Sequence, residues 1–179
     1  MAFDPTKPVD GSLVSAAELR AQLTGLKALL DAQATVFGRL AADWTNSTTT
    51  FLDVPGLSFA VGTGENWTAE LVLHTISGTG GQGLKFRVTG AGGGSVLIVI
   101  AGTGTSGSTA YECEVQTGFG VASPAKSFCT GTTLTGAVRV HVVVTNASLG
   151  PVQLQAANTS SGSAVTIKAN SDLVARKTG

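Results

Sequence analysis

Two histidines, His74 and His141, make up the imidazole inventory of this 179-residue chain, so metal binding or general acid–base work would have to start from them. Both fall on the polar side of alternating runs, and Glu70, on the same strand face as His74, is the carboxylate candidate to join them. A metal site would need the two imidazoles adjacent, and they read instead as surface histidines. Gly78, Gly80 and Gly83 satisfy G-x-G-x-x-G after a strand-like run. A dinucleotide site needs a helix N-terminus next, to hold the pyrophosphate. Here Leu84, Phe86 and Val88 alternate with Lys85, Arg87 and Thr89 as a strand, so the glycines read as a hairpin loop. The run from Gly102 to Thr109 resembles a phosphate loop, but Ser108 stands where lysine is required. Cys113 and Cys129 lack metal-ligand spacing and read as buried small apolar side chains, with a disulfide between neighbouring strands as the alternative. Glu112 and Glu114 flank Cys113 as outward residues of a strand. Trp44, Trp67 and Tyr111 have rings that can stack on a sugar, but Trp67 occupies an inward position and reads as core. No nucleophile elbow or acid–base pair emerges, so no catalytic, cofactor-binding or metal-binding residue is assigned, and the chain reads as a non-enzyme.

The composition points the same way. Hydrophobic residues are 42% of the chain, enough for a core, while charged residues are only 12%, about half the usual share. Net charge is zero and no run of Lys or Arg is present, which excludes the basic surface that nucleic acid requires. The longest apolar run, Val96 to Ala101, is too short to insert in a membrane as a helix. The opening MAFDPTKPVDG has prolines and aspartates where an export signal needs apolar residues, so synthesis in the cytoplasm without such a signal is expected. Four Asn-x-Ser/Thr matches, at Asn46, Asn66, Asn146 and Asn158, are read as chance in a chain this rich in Ser and Thr.

These residues need elements to position them, and the first is helical. Ser15-Ala-Ala-Glu18 is a capping box, with Val14 and Leu19 placed as a hydrophobic staple across it. Leu19, Leu23, Leu26, Leu30, Gln33, Phe37 and Leu40 then recur in alternating steps of four and three. That is a heptad seam with Leu23, Leu30 and Phe37 at a, and Leu19, Leu26, Gln33 and Leu40 at d. The spacing predicts a helix with a self-association seam over residues 15–43. Leu29 and Val36 at g widen the stripe, which suits more than two strands or docking on another surface. Gly25 and Gly38 each weaken such a helix by about 1 kcal/mol.

From Trp44 onward the period falls to two. Trp67, Ala69, Leu71 and Leu73 alternate with Thr68, Glu70 and Val72, and Val138, Val140, Val142 and Val144 alternate with Arg139, His141 and Val143. Further strands are predicted at Leu57–Val61, Val96–Ala101, Ala110–Val115, Val152–Ala156, Ala164–Ala169 and Leu173–Arg176. The fold expected over 44–179 is therefore an antiparallel β-sandwich of jelly-roll-like type, preceded by the coiled-coil helix over 15–43.

The run FDPTKPVDGSLVSAAELRAQLTGLKALLDA resembles the leader module at the start of many phage and prophage fibre-type proteins. TTTFLDVPGLSFAVGTGENWTAELVL is similar to the opening of a β domain of phage structural proteins, and VQLQAANTSSGSAVTIKANSDLVARK to its close. Many such proteins carry a collagen-like stretch after the leader, and its absence here suggests a compact spike or decoration rather than a long fibre. The resemblance implies a virion component (head fibre, tail fibre or decoration protein) that forms a homotrimer and contacts capsid or tail proteins. Phe3, Asp4, Pro5 and Pro8 would belong to an extended particle-anchoring arm over residues 1–14, the seam leucines would trimerise the stalk, and the β domain would be the exposed head. The alternative is a carbohydrate-binding module or receptor-binding adhesin that recognises host-surface glycans.

Overall fold

The computed structural model describes residues 15–77, 83–90, 95–103, 111–121, 137–145, 147–162 and 164–179. Among these, one helix, α1 (Ala16–Ala32), precedes the strands β1 (Thr35–Arg39), β2 (Trp44–Asn46), β3 (Leu52–Val61), β4 (Trp67–Ser77), β5 (Leu84–Thr89), β6 (Ser95–Thr103), β7 (Tyr111–Gln116), β8 (Ala137–Thr145), β9 (Gly150–Asn158), β10 (Val165–Ile167) and β11 (Asp172–Lys177).

The helix begins where its cap requires. Ser15 Oγ accepts from the Glu18 N–H at 3.1 Å, and Glu18 Oε2 accepts from the Ser15 N–H at 3.0 Å, closing the capping box. It ends at Ala32, well short of the expected residue 43. Gln33 is the C-cap, and its N–H turns back to the Leu30 carbonyl at 3.1 Å. The next residues are Thr35, Val36, Phe37 and Gly38, poor helix formers that lose side-chain or backbone freedom in a helix. They pair instead with β11, Thr35 opposite Arg176 and Arg39 opposite Asp172. The β domain thus starts near residue 34 rather than at Trp44.

All strand pairs are antiparallel and form two sheets. The larger has the order β1-β11-β4-β8-β6-β7, and the smaller β3-β9-β5. β4 pairs with β11 along residues 67–72 and with β10 along 75–77, while β2 pairs with β10 as β1 does with β11. β1 with β2, and β11 with β10, are therefore two strands each broken once at the same level. Residues 40–43 and 168–171 fill the breaks. β4 and β5 lie in different sheets and do not pair as a hairpin, while Gly78 and Gly80 themselves lie outside the described residues. Alternation along a strand fixes which face is buried but not which strand is its neighbour.

The inward residues meet as expected from the alternation. Trp67, Ala69, Leu71 and Leu73 of β4, Ile98 and Ile100 of β6, and the four inward valines of β8 face Leu57, Phe59, Phe86 and Leu154 of the smaller sheet. Phe59 and Trp67 pack at 5.6 Å between ring centroids. β3 shifts register against β9 between Asp53 and Ser58, and Gln153 Nε2 donates to the Val54 and Leu154 carbonyls at 2.9 and 2.7 Å, supplying bonds the ladder loses there. Gly56 in this bulge has φ +75°, and a Cβ on it would lie 2.6 Å from the Arg39 carbonyl oxygen. A Cβ on Gly38 would run into the Gly56 carbonyl in turn, so two glycines let β1 and β3 touch. Asn46 and Asn158 are buried, and the Asn46 amide binds the Thr50 carbonyl at 2.9 Å, so neither is open to a glycan.

The entry to β4 is tied by Glu65. Its carboxylate accepts from the Gly62 N–H at 2.6 Å, Trp67 Nε1 at 2.8 Å and Lys177 Nζ at 2.8 Å. The Lys177 bond first, then those from Gly62 and Trp67, hold its pKa down from 4.5 to about 2. A carboxylate with a depressed folded pKa stabilises the fold above its ordinary value, and the contribution fades as pH falls from 4.5 toward 2. Glu65→Gln is expected to lower the melting temperature at pH 7 by roughly 5 °C and to flatten its decline between pH 5 and 2, as read by circular dichroism. Gly38→Ala is expected to cost about 1–3 kcal/mol in urea unfolding, because backbone on both sides must move.

Candidate functional site

The helix carries the largest unpartnered apolar feature among the described residues. Leu19, Leu23, Leu26 and Leu30 follow the heptad spacing, Leu29 widens the stripe, and all five are 42–66% exposed. A helix packed on its own sheet would bury these side chains, and this one does not. Its outer positions are polar, with Lys27 and Asp31 paired one turn apart at 2.5 Å.

The other three positions of the expected seam fall elsewhere. Gln33 is the C-cap of α1, bonded through its backbone N–H to the Leu30 carbonyl. Phe37 lies on the outward face of β1 and is 76% exposed, while Leu40 is 2% exposed and part of the β core. The seam spacing is kept by coincidence: Gln33 ends the helix, Phe37 points outward from β1, and Leu40 lies in the break after that strand. Phe3, Asp4, Pro5 and Pro8 lie outside the described residues, as do Val14, Cys129 and Asn146.

His141 sits directly opposite Glu70 across β4 and β8, with Nδ1 3.8 Å from Oε1. His74 pairs with Ala137 further along, so the two histidines stay apart. Among the described residues, no three His, Cys, Asp or Glu side chains gather as a metal site. Cys113 is exposed rather than buried, and Glu114 faces inward rather than outward. Cys113 pairs with outward-facing Ala101, and Glu114 with core Ile100. β7 is an edge strand, and an inward charge is one way edge strands discourage further pairing. Glu114 Oε1 accepts from Gln116 Nε2 at 3.1 Å. Trp67 is core, as its position predicted, whereas Trp44 is only half-buried.

Trp44 borders a cleft that sequence reasoning missed. The cleft has a volume of about 270 Å³ and opens where residues 40–43 interrupt the sheet edge, with Arg39, Asp43, Pro55 and Gly56 around it. Leu40 N–H donates to the Ser171 carbonyl at 2.8 Å and Asn170 N–H to the Leu40 carbonyl at 3.0 Å, stitching the two breaks together. Arg39 Nη2 donates to Asn170 Oδ1, and Asp43 accepts from Lys168 Nζ and from the Ala169 N–H. The Lys168 and Ala169 bonds hold the Asp43 carboxyl below its ordinary range. Separately, Leu40→Ala is expected to cost about 2–5 kcal/mol in urea unfolding, and Phe37→Ser about 0.5 kcal/mol or less, the opposite of what a shared seam role predicts.

No family model and no curated protein matches the chain. Solved structures with some likeness include particles of infectious bursal disease virus. The Gt strain structure is 14% identical at a TM-score of 0.20, and covers 82% of this chain and 38% of that one. The crystal structure of the VP2 subviral particle is 9% identical at a TM-score of 0.24, covering 82% and 40%. The chain thus spans about two fifths of the length of those proteins, and at such scores the likeness carries no weight for topology or role.

Proposed function

We propose that this chain is a non-enzymatic structural protein of a phage virion: a short trimeric fibre, spike or decoration protein held to capsid or tail by its N-terminal arm. The observation that carries the reading is the exposed leucine stripe of α1, set apart from the β core. A 17-residue helix is marginal alone in water, because nucleation is costly. Burying Leu19, Leu23, Leu26 and Leu30 against their copies contributes roughly 1.5–3 kcal/mol for each side chain. The choice of three strands, and the anchoring role of Phe3, Asp4, Pro5 and Pro8, rest on the resemblance of the leader to phage fibre-type proteins. The chain's passage between sheets supports a jelly-roll-like head: β3, β5 and β9 fall in the smaller sheet, while β4, β6, β8 and β10 fall in the larger.

Sedimentation of the full chain at micromolar concentration should give three chain masses. Leu26→Asp and Leu30→Asp should each give one chain mass with unchanged β-type circular dichroism, since an unpaired carboxylate would have to be buried in every copy. An unchanged mass for both variants would falsify the stalk. Removal of residues 1–33 should leave a folded monomeric β domain that no longer joins the particle, read by co-sedimentation with virions.

A further inference from the structure

We propose that the cleft beside Trp44 is a carbohydrate site that takes a neutral pyranose unit of a glycan, with Trp44 as its aromatic wall and Arg39 and Asp43 as its hydroxyl-binding pair. Three irregularities of the fold converge there. The larger sheet is broken at residues 40–43 and 168–171, the smaller sheet bulges between Asp53 and Ser58, and Asn170 holds a left-handed φ of 70°. Bulges and strained backbone gather where a fold re-aims side chains, and each must be supported by its surroundings. Here the support is visible: Asn170 braces Arg39, while Lys168 and the Ala169 N–H brace Asp43. Side chains fixed before the ligand arrives lose little entropy on binding.

The chemistry of the lining selects the ligand. Trp44 offers an apolar ring at the edge of the core, suited to the C–H face of a sugar. A guanidinium has five N–H donors and Asn170 takes one, while a carboxylate has about four acceptor sites, two of which serve Lys168 and Ala169. What remains are further donors on Arg39 and further acceptor sites on Asp43, two residues that both line the cleft, and a hydroxyl group can use one of each. An anion would meet the Asp43 carboxylate, and a cation would meet Arg39 and Lys168, so a neutral polyhydroxyl ligand fits best. At about 270 Å³ the cleft is just below the range of about 300–1,000 Å³ usual for drug-sized ligands, which favours one sugar unit over a long chain. The site does not depend on the trimeric stalk.

The test is a glycan array probed with the full chain, followed by titration of the best glycan against tryptophan fluorescence. The chain has two tryptophans and Trp67 is buried, so a change in emission on binding reports Trp44. A neutral pyranose-bearing glycan should bind. Trp44→Ala and Arg39→Ala should each weaken it at least tenfold, Trp44→Phe should retain part of the affinity, and Arg139→Ala on the outer sheet face should leave it unchanged. Circular dichroism checks each variant; if Trp44→Ala fails to fold, Arg39→Ala and Trp44→Phe decide. Absence of binding on the array, binding confined to acidic glycans, or affinity indifferent to Trp44 and Arg39 would each overturn the site. A chain that binds glycan as a monomer would keep the cleft and remove the stalk.

Discussion

The register of β4 is the constraint on which the rest of the structure depends. Its side chains alternate with a period of two, so a slip by one residue would turn Trp67, Ala69, Leu71 and Leu73 out of the core together. β4 carries β8 on one side and both β11 and β10 on the other, so such a slip would propagate across the larger sheet. Glu65 pins it from the first residue, by holding Trp67, the Gly62 turn and the last residue of β11 in one carboxylate. Two further backbone bonds, Gly64 N–H to the Ala147 carbonyl at 2.7 Å and Asn66 N–H to that of Gly179 at 2.7 Å, brace the same corner. One side chain therefore joins the entrance of the central strand to the end of the described chain.

Where the sequence was legible, it was so for a physical reason. Nine strands from β3 to β11 follow from apolar alternation and turn residues, because burial on one face imposes that pattern without knowledge of the partner. β1 is hidden because Phe37 and Leu40 happen to continue the helical spacing of the leucines before them, and β2 because three residues are too few to show an alternation. What separates the two is the clash that any side chain at Gly38 would make with Gly56, a contact eighteen residues away in sequence. The parity of β7 was misread for a related reason. Tyr-Glu-Cys-Glu-Val-Gln alternates so as to favour Cys113 and Val115 inward, yet pairing sets Glu114 opposite Ile100 and Gln116 opposite Ile98, and Val115 is left exposed. Trp44 is legible as a ring able to stack on a sugar, but the cleft is not, since the run from Arg39 to Trp44 meets Pro55 and Gly56 only through the bulge of β3.

The molecule thus separates two kinds of surface. The helix offers leucines in a regular row with few charges among them, a surface suited to copies of itself. The flank of the sandwich offers a cleft lined by Trp44, Arg39 and Asp43, with Asn170, Lys168 and the Ala169 N–H holding the two charged side chains. Neither interferes with the core, since α1 contributes nothing to the buried cluster and the cleft occupies places where ladder pairing is already interrupted.

That interruption also bears on aggregation. An unbroken outer strand would offer a straight row of N–H and C=O groups, ready to be extended by the same edge of another chain. Here the outermost strand is cut into five residues and three, with Arg39 and Asp43 at the cut and Gly38 pressed against the bulge of the opposite sheet. No long flat stretch of that edge is left for a neighbour to copy. Two copies meeting along this flank would therefore find no continuous ladder to extend.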